Sequence, residues 1–93
     1  MIVSFVDNET EKVFNREFSR RLPQDIQRSA LRKLRMINRA IDVNDLRTPP
    51  GNRLEQLEGN RSSEYSIRIN QQWRICFVWE DGNAYDVEMV DYH

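Results

Sequence analysis

The residues of this sequence best suited to chemistry are two strand arginines and the last two side chains. Arg68 and Arg74 lie in the alternating stretch 65–79, and Tyr92 and His93 are the final two residues. Guanidinium groups match phosphate oxygens in geometry and charge, and they can stabilise negative charge that develops at phosphorus. Imidazole titrates near neutrality and can transfer a proton, while a tyrosine can stack on a base or hold a nucleophile. This set predicts a site for a phosphodiester.

The register that would bring the arginines together follows from hydrophobic alternation. Every second side chain is apolar within residues 65–69 and again within 73–79, which predicts two strands with one face in a core. A three-residue connection pairs Ile67 with Ile75, because cross-strand partners must share a face. Arg68 then lies opposite Arg74 on the other face, where like charges repel unless an anion sits between them.

The same argument predicts the next hairpin. A three-residue loop over residues 81–83 pairs Phe77 with Val87 and sets Tyr92 diagonal to Arg74. A two-residue Asp-Gly turn would set apolar residues against polar ones, so the longer loop is favoured. The chain end and both strand arginines therefore share one face.

Helices are predicted before the sheet. Residues 2–6 are β-branched and aromatic and predict an opening strand, after which Val13, Phe14 and Phe18 supply the apolar stripe of a first helix that Pro23 ends. A second helix follows, with an apolar stripe at three- or four-residue spacing. Its members are Leu22, Ile26, Ala30, Leu34, Ile37 and Ile41.

The remaining segments complete a single domain over residues 1–93. Residues 42–52 contain Pro and Gly and predict a loop, and residues 53–57 predict a short edge strand. The expected fold class is α+β, with the N-terminal strand and two helices packed on an antiparallel sheet whose last three strands form a meander.

Composition limits the classes of function. One cysteine allows no internal disulfide, and one His with scattered acidic residues does not predict a metal site, so we expect no cofactor. No apolar run approaches the roughly 20 residues of a membrane span, and residues 1–5 do not resemble a signal peptide, which makes the cytoplasm the expected location without a membrane partner.

Charge is balanced in total and uneven in distribution. The formal net charge is -1, yet many basic residues fall in the predicted helices. They are either a solvated face or a surface for an anionic partner, and the sequence leaves both interpretations open. These residues are Lys12, Arg16, Arg20, Arg21, Arg28, Arg32, Lys33, Arg35 and Arg39.

Several segments closely resemble the HigB branch of the RelE-like toxins, the plasmid-maintenance killer proteins of bacterial toxin–antitoxin pairs. The resemblance covers essentially the whole chain, and the ending Asp-Tyr-His is its most specific motif. The segments that carry it are residues 50–54, 57–61, 65–70, 72–77 and 86–93.

The resemblance implies a RelE-like fold and a ribosome-dependent endoribonuclease (an mRNA interferase). Such a toxin cuts mRNA in the ribosomal A site without a metal, by attack of the 2′-hydroxyl, and leaves a cyclic phosphate and a 5′-hydroxyl. It further implies neutralisation by a HigA-like helix-turn-helix antitoxin, through which the toxin reaches operator DNA indirectly.

The family's site residues carry over to matching positions. Its catalytic residues correspond to Asp91, Tyr92 and His93, with Arg74 as the phosphate-contacting strand arginine. Beside Arg68, the substrate-binding candidates are two arginines in the shared segments, Arg53 and Arg61.

The sequence departs from the family at one segment. Some members carry a His and basic residues where this chain has Glu55 and Glu58. Carboxylates near the scissile phosphate would repel it, and a second proton-transfer group would be missing, which predicts a weak toxin. The alternative is a binding module without catalysis, acting chiefly as antitoxin co-repressor or ribosome binder. The two glutamates favour this alternative, while Arg74 and the intact chain end favour the enzyme.

Overall fold

The computed structural model describes residues 1–57 and 63–92, which form two α-helices and a four-stranded antiparallel sheet. The elements are α1 (Asn8–Phe14), α2 (Gln24–Arg39), β1 (Glu55–Gln56), β2 (Glu64–Arg68), β3 (Trp73–Glu80) and β4 (Asn83–Asp91). Short 3-10 helices, Val43–Arg47 and Pro50–Asn52, lie in the loop between α2 and β1. The strands are neighbours in chain order. The expected α+β class and the terminal meander are therefore confirmed.

The predicted opening strand is an extended segment along the edge of β4. Isolated parallel bridges join Ile2 to Ala84 and Phe5 to Val87, so the pairing is interrupted rather than continuous. The interruption coincides with Asp86 of β4, whose backbone has φ 53° and whose N–H donates to a serine hydroxyl of the segment at 2.9 Å.

Helix α1 is fixed to the sheet through Thr10, which is almost fully buried. The Thr10 N–H donates to Asp7 Oδ1 at 2.7 Å, so Asp7 is the N-cap that its residue type favours. The Thr10 hydroxyl accepts from the N–H of Met89 in β4 at 3.1 Å. One side chain thus joins the start of the helix to the strand that leads to the chain end.

The prediction that α1 continues through Phe18 is wrong. The Glu17 N–H donates to the Lys12 carbonyl at 2.7 Å, and the Arg16 N–H donates to the Val13 carbonyl at 3.1 Å. With Arg16 at φ 64°, these two bonds form a Schellman end to the helix. A glycine usually takes the left-handed position, and this sequence has none there. Phe18 consequently lies outside the helix and is 58% exposed.

Helix α2 buries the predicted apolar stripe over the sheet. Its apolar residues of under 5% exposure are Ile26, Ala30, Leu34 and Ile37, and they join Ile67, Ile75, Phe77 and Val87 in the core. Ile41 was assigned to the same stripe and is 84% exposed instead. The helix ends at Arg39, and Ala40 is already extended, which removes Ile41 from the helical period.

Lys33 does not belong to the exposed basic face on which the sequence analysis placed it. Its side chain is buried, and its ammonium donates to Oδ1 of Asn52, which is fully buried. The Asn52 amide group donates in turn to the backbone carbonyls of Leu46 and Thr48 at 3.2 and 3.4 Å. This network fixes the loop before β1 onto helix α2.

The register predicted between β2 and β3 is confirmed. Ile67 pairs with Ile75, and Arg68 lies opposite Arg74. The Ile69 N–H closes the connection by donating to the backbone carbonyl of Trp73 at 2.8 Å. Hydrophobic alternation was sufficient here because the ladder has no bulge.

The register predicted at the start of the second hairpin is wrong. Trp79 pairs with Ala84 across a two-residue turn, Asp81 and Gly82, whose φ values of 50° and 79° suit the Asp-Gly sequence. The register then shifts at the bulge that contains Asp86. The bulge returns the apolar residues to the core face, so Ile75 pairs with Met89 and Arg74 with Val90, as predicted. Within the described residues, no helix is long and apolar enough to cross a bilayer.

We expect Lys33→Met to flatten the alkaline rise of stability with pH. Burial, with a smaller contribution from the charge of Arg32, lowers the pKa of Lys33 from its ordinary value of 10.5. Between the lowered pKa and 10.5 the unfolded chain binds more protons than the folded one, so the free energy of unfolding increases with pH. The variant also leaves the Asn52 oxygen without its donor, which costs about 1–3 kcal/mol near neutral pH.

Urea denaturation of both proteins between pH 7 and pH 10.5 measures this difference. Lys12→Met removes a half-exposed lysine and is the matched control, which should keep the wild-type pH dependence. Parallel curves for the wild type and Lys33→Met would contradict the prediction.

Candidate active site

A cavity of about 360 Å³ opens beside the sheet where β1, β2 and β3 meet the chain end. It brings together four of the predicted site residues, which lie up to 39 positions apart in the sequence. Its lining consists of Arg53, Glu55, Arg68, Asn70, Gln71, Arg74 and Tyr92. Three arginines face one glutamate in this lining, so the charge favours an anion.

Arg74 is the most enclosed member of the site, with 7% of its surface exposed. Its Nε donates to the Ser66 hydroxyl at 2.9 Å. Its Nη2 donates to the backbone carbonyls of Arg53 at 2.6 Å and of Ser66 at 3.2 Å. The family resemblance implies that Arg74 contacts a phosphate, whereas two of its three guanidinium nitrogens already bind the protein.

The repulsion expected between the two strand arginines is relieved by their partners. The Nε of Arg68 donates to the Asn70 carbonyl at 3.0 Å, toward the β2–β3 turn. The Arg74 guanidinium instead binds Ser66 and the backbone before β1. Each charge therefore has its own acceptors, and both side chains still line the cavity.

Arg53 presents an exposed side chain to the cavity from a constrained backbone position. Its φ of 45° lies in the left-handed region, which is uncommon for a residue other than glycine. Its N–H closes the preceding 3-10 helix on the Pro50 carbonyl at 3.1 Å, and its own carbonyl accepts from Arg74. The buried guanidinium thereby fixes the backbone that presents Arg53.

Glu55 lies across the cavity from the chain end. Its Oε1 is 3.9 Å from Arg74 Nη1, and its side chain is 58% exposed against 9% for that of Arg74. The register of β1 explains this position, because Glu55 pairs with Ser66, which itself binds Arg74. The sequence predicted that Glu55 repels a phosphate, and it gave no indication that Glu55 pairs with Arg74.

Tyr92 is held over the site by its backbone and its ring. Its N–H donates to the Gln72 carbonyl at 2.5 Å, and its ring centroid lies 6.0 Å from Cζ of Arg74, in the range of a cation–π contact. Asp91 has a different position. Its Oδ2 accepts from Gln72 Nε2 at 3.1 Å, and it is not among the described residues that line the cavity.

Two predicted site residues, Arg61 and His93, lie outside the described residues, as does Glu58. Their roles stay predictions from the resemblance. Among the described residues, no group of three or more His, Cys, Asp or Glu side chains could hold a metal ion.

Ser66 is the main site residue that the sequence analysis missed. It is fully buried and supplies two acceptors to Arg74. A signal was available, because strand alternation put Ser66 on the face of Arg68, diagonal to Arg74. A buried serine on an otherwise charged face has a specific partner as a rule. The hydrogen bond from Arg74 to the Arg53 carbonyl could not be predicted in this way, because the direction of that carbonyl depends on the backbone conformation of Arg53.

The chain is similar to known proteins in sequence and in fold. Residues 3–93 match the model of the HigB-like toxin family, described as the RelE-like toxin of type II toxin-antitoxin system HigB. Toxin HigB-1 of Vibrio cholerae is 42% identical over 85 residues, which are 90% of each chain. Endoribonuclease HigB of Proteus vulgaris is 32% identical in an alignment of 94 positions that covers 100% of both chains.

Solved structures share the fold at low sequence identity. The YoeB dimer from Staphylococcus aureus covers 99% of this chain and 94% of its own, with a TM-score of 0.61 and 22% identity. YafQ from Escherichia coli covers 98% of this chain and 91% of its own, with a TM-score of 0.59 and 12% identity. The agreement in sequence over residues 3–93, together with this shared fold, identifies the chain as a member of the HigB-like family of RelE-type toxins from type II toxin–antitoxin systems.

Proposed function

We propose that this toxin is a ribosome-dependent endoribonuclease that cuts mRNA in the ribosomal A site. The ribose 2′-hydroxyl attacks the neighbouring phosphorus, the 5′-oxygen leaves, and the products carry a cyclic phosphate and a 5′-hydroxyl. Side chains rather than a metal supply the charge and the proton transfers. The observation that carries the proposal is the cavity in which three arginines, a carboxylate and a tyrosine meet. Family membership and the name of the Proteus vulgaris relative support the reaction class.

The phosphate binds between the arginines of the cavity. Arg53 is exposed and Arg68 is half-buried, so both can turn their guanidinium groups toward a ligand. Arg74 contributes through Nη1, whose 3.9 Å distance to Glu55 exceeds a hydrogen bond. A phosphate oxygen can therefore compete with Glu55 for this nitrogen. The same charges stabilise the additional negative charge of the transition state.

Glu55 is a second proton-transfer group. Its carboxylate is exposed at the cavity, and an ionised carboxylate is an acceptor only, so it can take the proton of the attacking 2′-hydroxyl. His93 then donates to the leaving 5′-oxygen, and Tyr92 stacks on a base or orients the nucleophile. Asp91 fixes His93 or the base, as the family resemblance implies.

The ribosome supplies what this small surface lacks. A net charge of -1 gives little general affinity for RNA, because free binding requires many phosphates to be neutralised. The A site holds the mRNA and restricts the geometry of the 2′-hydroxyl, which leaves the toxin to stabilise the transition state. Activity in this setting places the protein in the cytoplasm. Its further partner is a HigA-like helix-turn-helix antitoxin, through which the pair reaches operator DNA.

One observation favours the alternative of a weak or inactive binding module. The Arg74 guanidinium is buried and bonded to Ser66 and Arg53, so its role is at least partly structural. A toxin whose arginine is committed in this way could bind the ribosome or its antitoxin without cutting. The enzyme predicts new mRNA 5′ ends after the toxin is induced, whereas the binding module predicts none.

We expect induction of the wild-type toxin to produce new mRNA 5′ ends in phase with codons. Arg74→Ala and His93→Ala should reduce these ends at least tenfold, since general acid–base catalysis alone contributes about 10²–10⁴ in rate. Sequencing of 5′-hydroxyl RNA ends before and after induction measures the effect. Absence of phased ends in the wild type, with growth still inhibited, would eliminate the enzyme in favour of the binding module.

We expect Glu55→Gln to slow cleavage on ribosomes by about 10²-fold, because an amide cannot accept the proton. Single-turnover cleavage of a defined mRNA on purified ribosomes measures the rate. Glu80→Gln is the control, since Glu80 is exposed and lies outside the cavity lining. Faster cleavage by Glu55→Gln would show instead that this carboxylate only repels the phosphate.

We expect Arg74→Lys to lower the free energy of unfolding by about 1–3 kcal/mol, and Arg68→Lys by under about 0.5 kcal/mol. An ammonium keeps the charge but lacks the planar fork that binds Ser66 and the Arg53 carbonyl together. Urea denaturation of the three proteins tests this difference. Equal stability of the two variants would contradict a structural role for Arg74.

A further inference from the structure

The turn between β2 and β3 contacts both sides of the cavity that contains Arg74. Asn70, the first residue of this turn, is among the residues that line the cavity. The Asn70 carbonyl accepts from Nε of Arg68 at 3.0 Å. The Gln72 carbonyl accepts from the N–H of Tyr92 at 2.5 Å. One short turn therefore binds both an arginine proposed to hold the phosphate and the end of the chain.

The contact with the chain end continues the sheet beyond the last residue of β4. Trp73 pairs with Asp91, and β4 ends at that pair. Tyr92 follows the strand, and the Gln72 carbonyl supplies the acceptor that its N–H requires. Gln72 makes a second contact, because its Nε2 donates to Oδ2 of Asp91 at 3.1 Å. Both residues that lead to His93 are thus bonded to one residue of the turn.

The Asn70 side chain fixes the backbone of the turn. Its Oδ1 accepts from the N–H groups of Gln72 at 2.8 Å and Trp73 at 2.7 Å. This is the pattern of an Asx turn, in which a side-chain oxygen takes the place of a backbone carbonyl. The Trp73 carbonyl also closes the turn, by accepting from the N–H groups of Ile69 and Asn70 at 2.8 and 3.2 Å. The turn therefore has a defined conformation although its residues are exposed.

A single peptide group connects the Asn70 side chain to the chain end. The Gln72 carbonyl and the Trp73 N–H belong to one planar trans peptide, so they point in opposite directions. Asn70 Oδ1 binds the N–H side of this plane, and Tyr92 binds the carbonyl side. The Asn70 oxygen thereby sets the rotation of the plane. Without that oxygen, the Tyr92 N–H loses an acceptor of fixed direction.

We propose that Asn70 is a positioning residue of the candidate site, which holds Tyr92 and His93 in place through the peptide between Gln72 and Trp73. The inference rests on the proposed function, in which the chain end transfers a proton and stacks on a base. Asn70 acts through its Oδ1 acceptor rather than by contact with mRNA. Misplacement of a reacting group by about 1 Å costs about 10²-fold in rate, so a small shift of the chain end is sufficient to slow cleavage.

Amide hydrogen exchange of the purified full-length toxin, measured by NMR, tests the positioning without catalysis. We expect Asn70→Ala to accelerate exchange of the Tyr92 amide by about five- to tenfold, as the loss of one hydrogen bond predicts. Asn70→Gln should behave in the same way, because its longer side chain does not form the Asx turn. Asn70→Asp keeps the acceptor and should stay within about twofold of the wild type.

Asn83→Ala is the matched control for these variants. Asn83 lies beside the other hairpin turn, at the far end of β3, and its side chain donates to the Asp81 carbonyl at 3.4 Å. It is not among the described residues that line the cavity. This variant should leave both the exchange of Tyr92 and the rate of cleavage unchanged. Thermal unfolding confirms that every variant is folded.

Single-turnover cleavage at saturating ribosome concentration gives the second measurement. We expect Asn70→Ala to lower the rate by about 10- to 10²-fold, with ribosome affinity within about threefold of the wild type. Asn70→Asp should cut faster than Asn70→Ala, although its added negative charge disfavours a phosphate. The opposite order would overturn the inference, because it would show that the Asn70 amide donates to mRNA directly and that a carboxylate in its place repels the phosphate.

The exchange measurement separates this inference from the proposed function. Wild-type exchange of Tyr92 in Asn70→Ala and Asn70→Gln, in a toxin that cuts mRNA in phase with codons, would refute only the positioning role. Equal acceleration in Asn70→Ala and Asn70→Asp would also refute it, since the acceptor would then be irrelevant. A wild-type toxin that fails to cut, with exchange of Tyr92 that still depends on the Asn70 oxygen, would refute only the enzyme.

Discussion

The buried guanidinium of Arg74 is the interaction on which the candidate site depends. It joins three segments that are distant in sequence, because it binds Ser66 of β2, the Arg53 carbonyl before β1, and the face of Tyr92 at the chain end. Burial of an arginine is costly unless its N–H groups are satisfied, and backbone and hydroxyl oxygens satisfy those of Nε and Nη2 here. The positive charge is only partly compensated, since Glu55 lies 3.9 Å away and is more than half exposed. The cavity is therefore both rigid and attractive to an anion.

A second buried cation holds this arrangement to the helical layer. Lys33 reaches from α2 to Asn52, and Asn52 binds the loop carbonyls that precede Arg53. The left-handed backbone of Arg53 is thus fixed from two sides, by the 3-10 helix behind it and by Arg74 in front of it. Strained backbone at a functional position requires such support from its surroundings. Lys33 acts through Asn52 and Arg74 acts through the Arg53 carbonyl, so both cations act on the same short loop.

The sequence predicted those parts of the fold that follow one periodicity without interruption. Alternation was sufficient for the register that sets Arg68 opposite Arg74, because a one-residue slip would expose the whole apolar face. It failed at the second hairpin, where a two-residue turn and a bulge at Asp86 together reach the same far register as a three-residue loop. The shorter turn and the extra residue of the bulge shift the register in opposite directions, so the two shifts cancel. The side-chain pattern is then the same as for a three-residue loop without a bulge.

The sequence predicted that four of the candidate residues lie together, but not the contacts that hold them. Residue chemistry and the family resemblance selected Arg53, Arg68, Arg74 and Tyr92, which share one cavity. The acceptors of Arg74 were missed because one is a backbone carbonyl whose direction depends on a left-handed residue. The burial of Lys33 was missed for a related reason. A lysine in a basic stretch predicts a solvated face, and the sequence does not show that the Asn52 oxygen lies buried within its reach.

The separation of two concave surfaces follows from the two layers of the fold. The cavity that contains Arg74 belongs to the sheet edge and chain end, whereas a groove between the end of α1 and helix α2 belongs to the helical layer. Basic residues serve both surfaces, but with different neighbours. Around Arg74 the neighbours are polar, whereas around Arg28 and Arg35 they include the exposed Phe18. The two groups of arginines in this nearly neutral chain therefore differ in the apolar content beside them, and not in the sign of their charge.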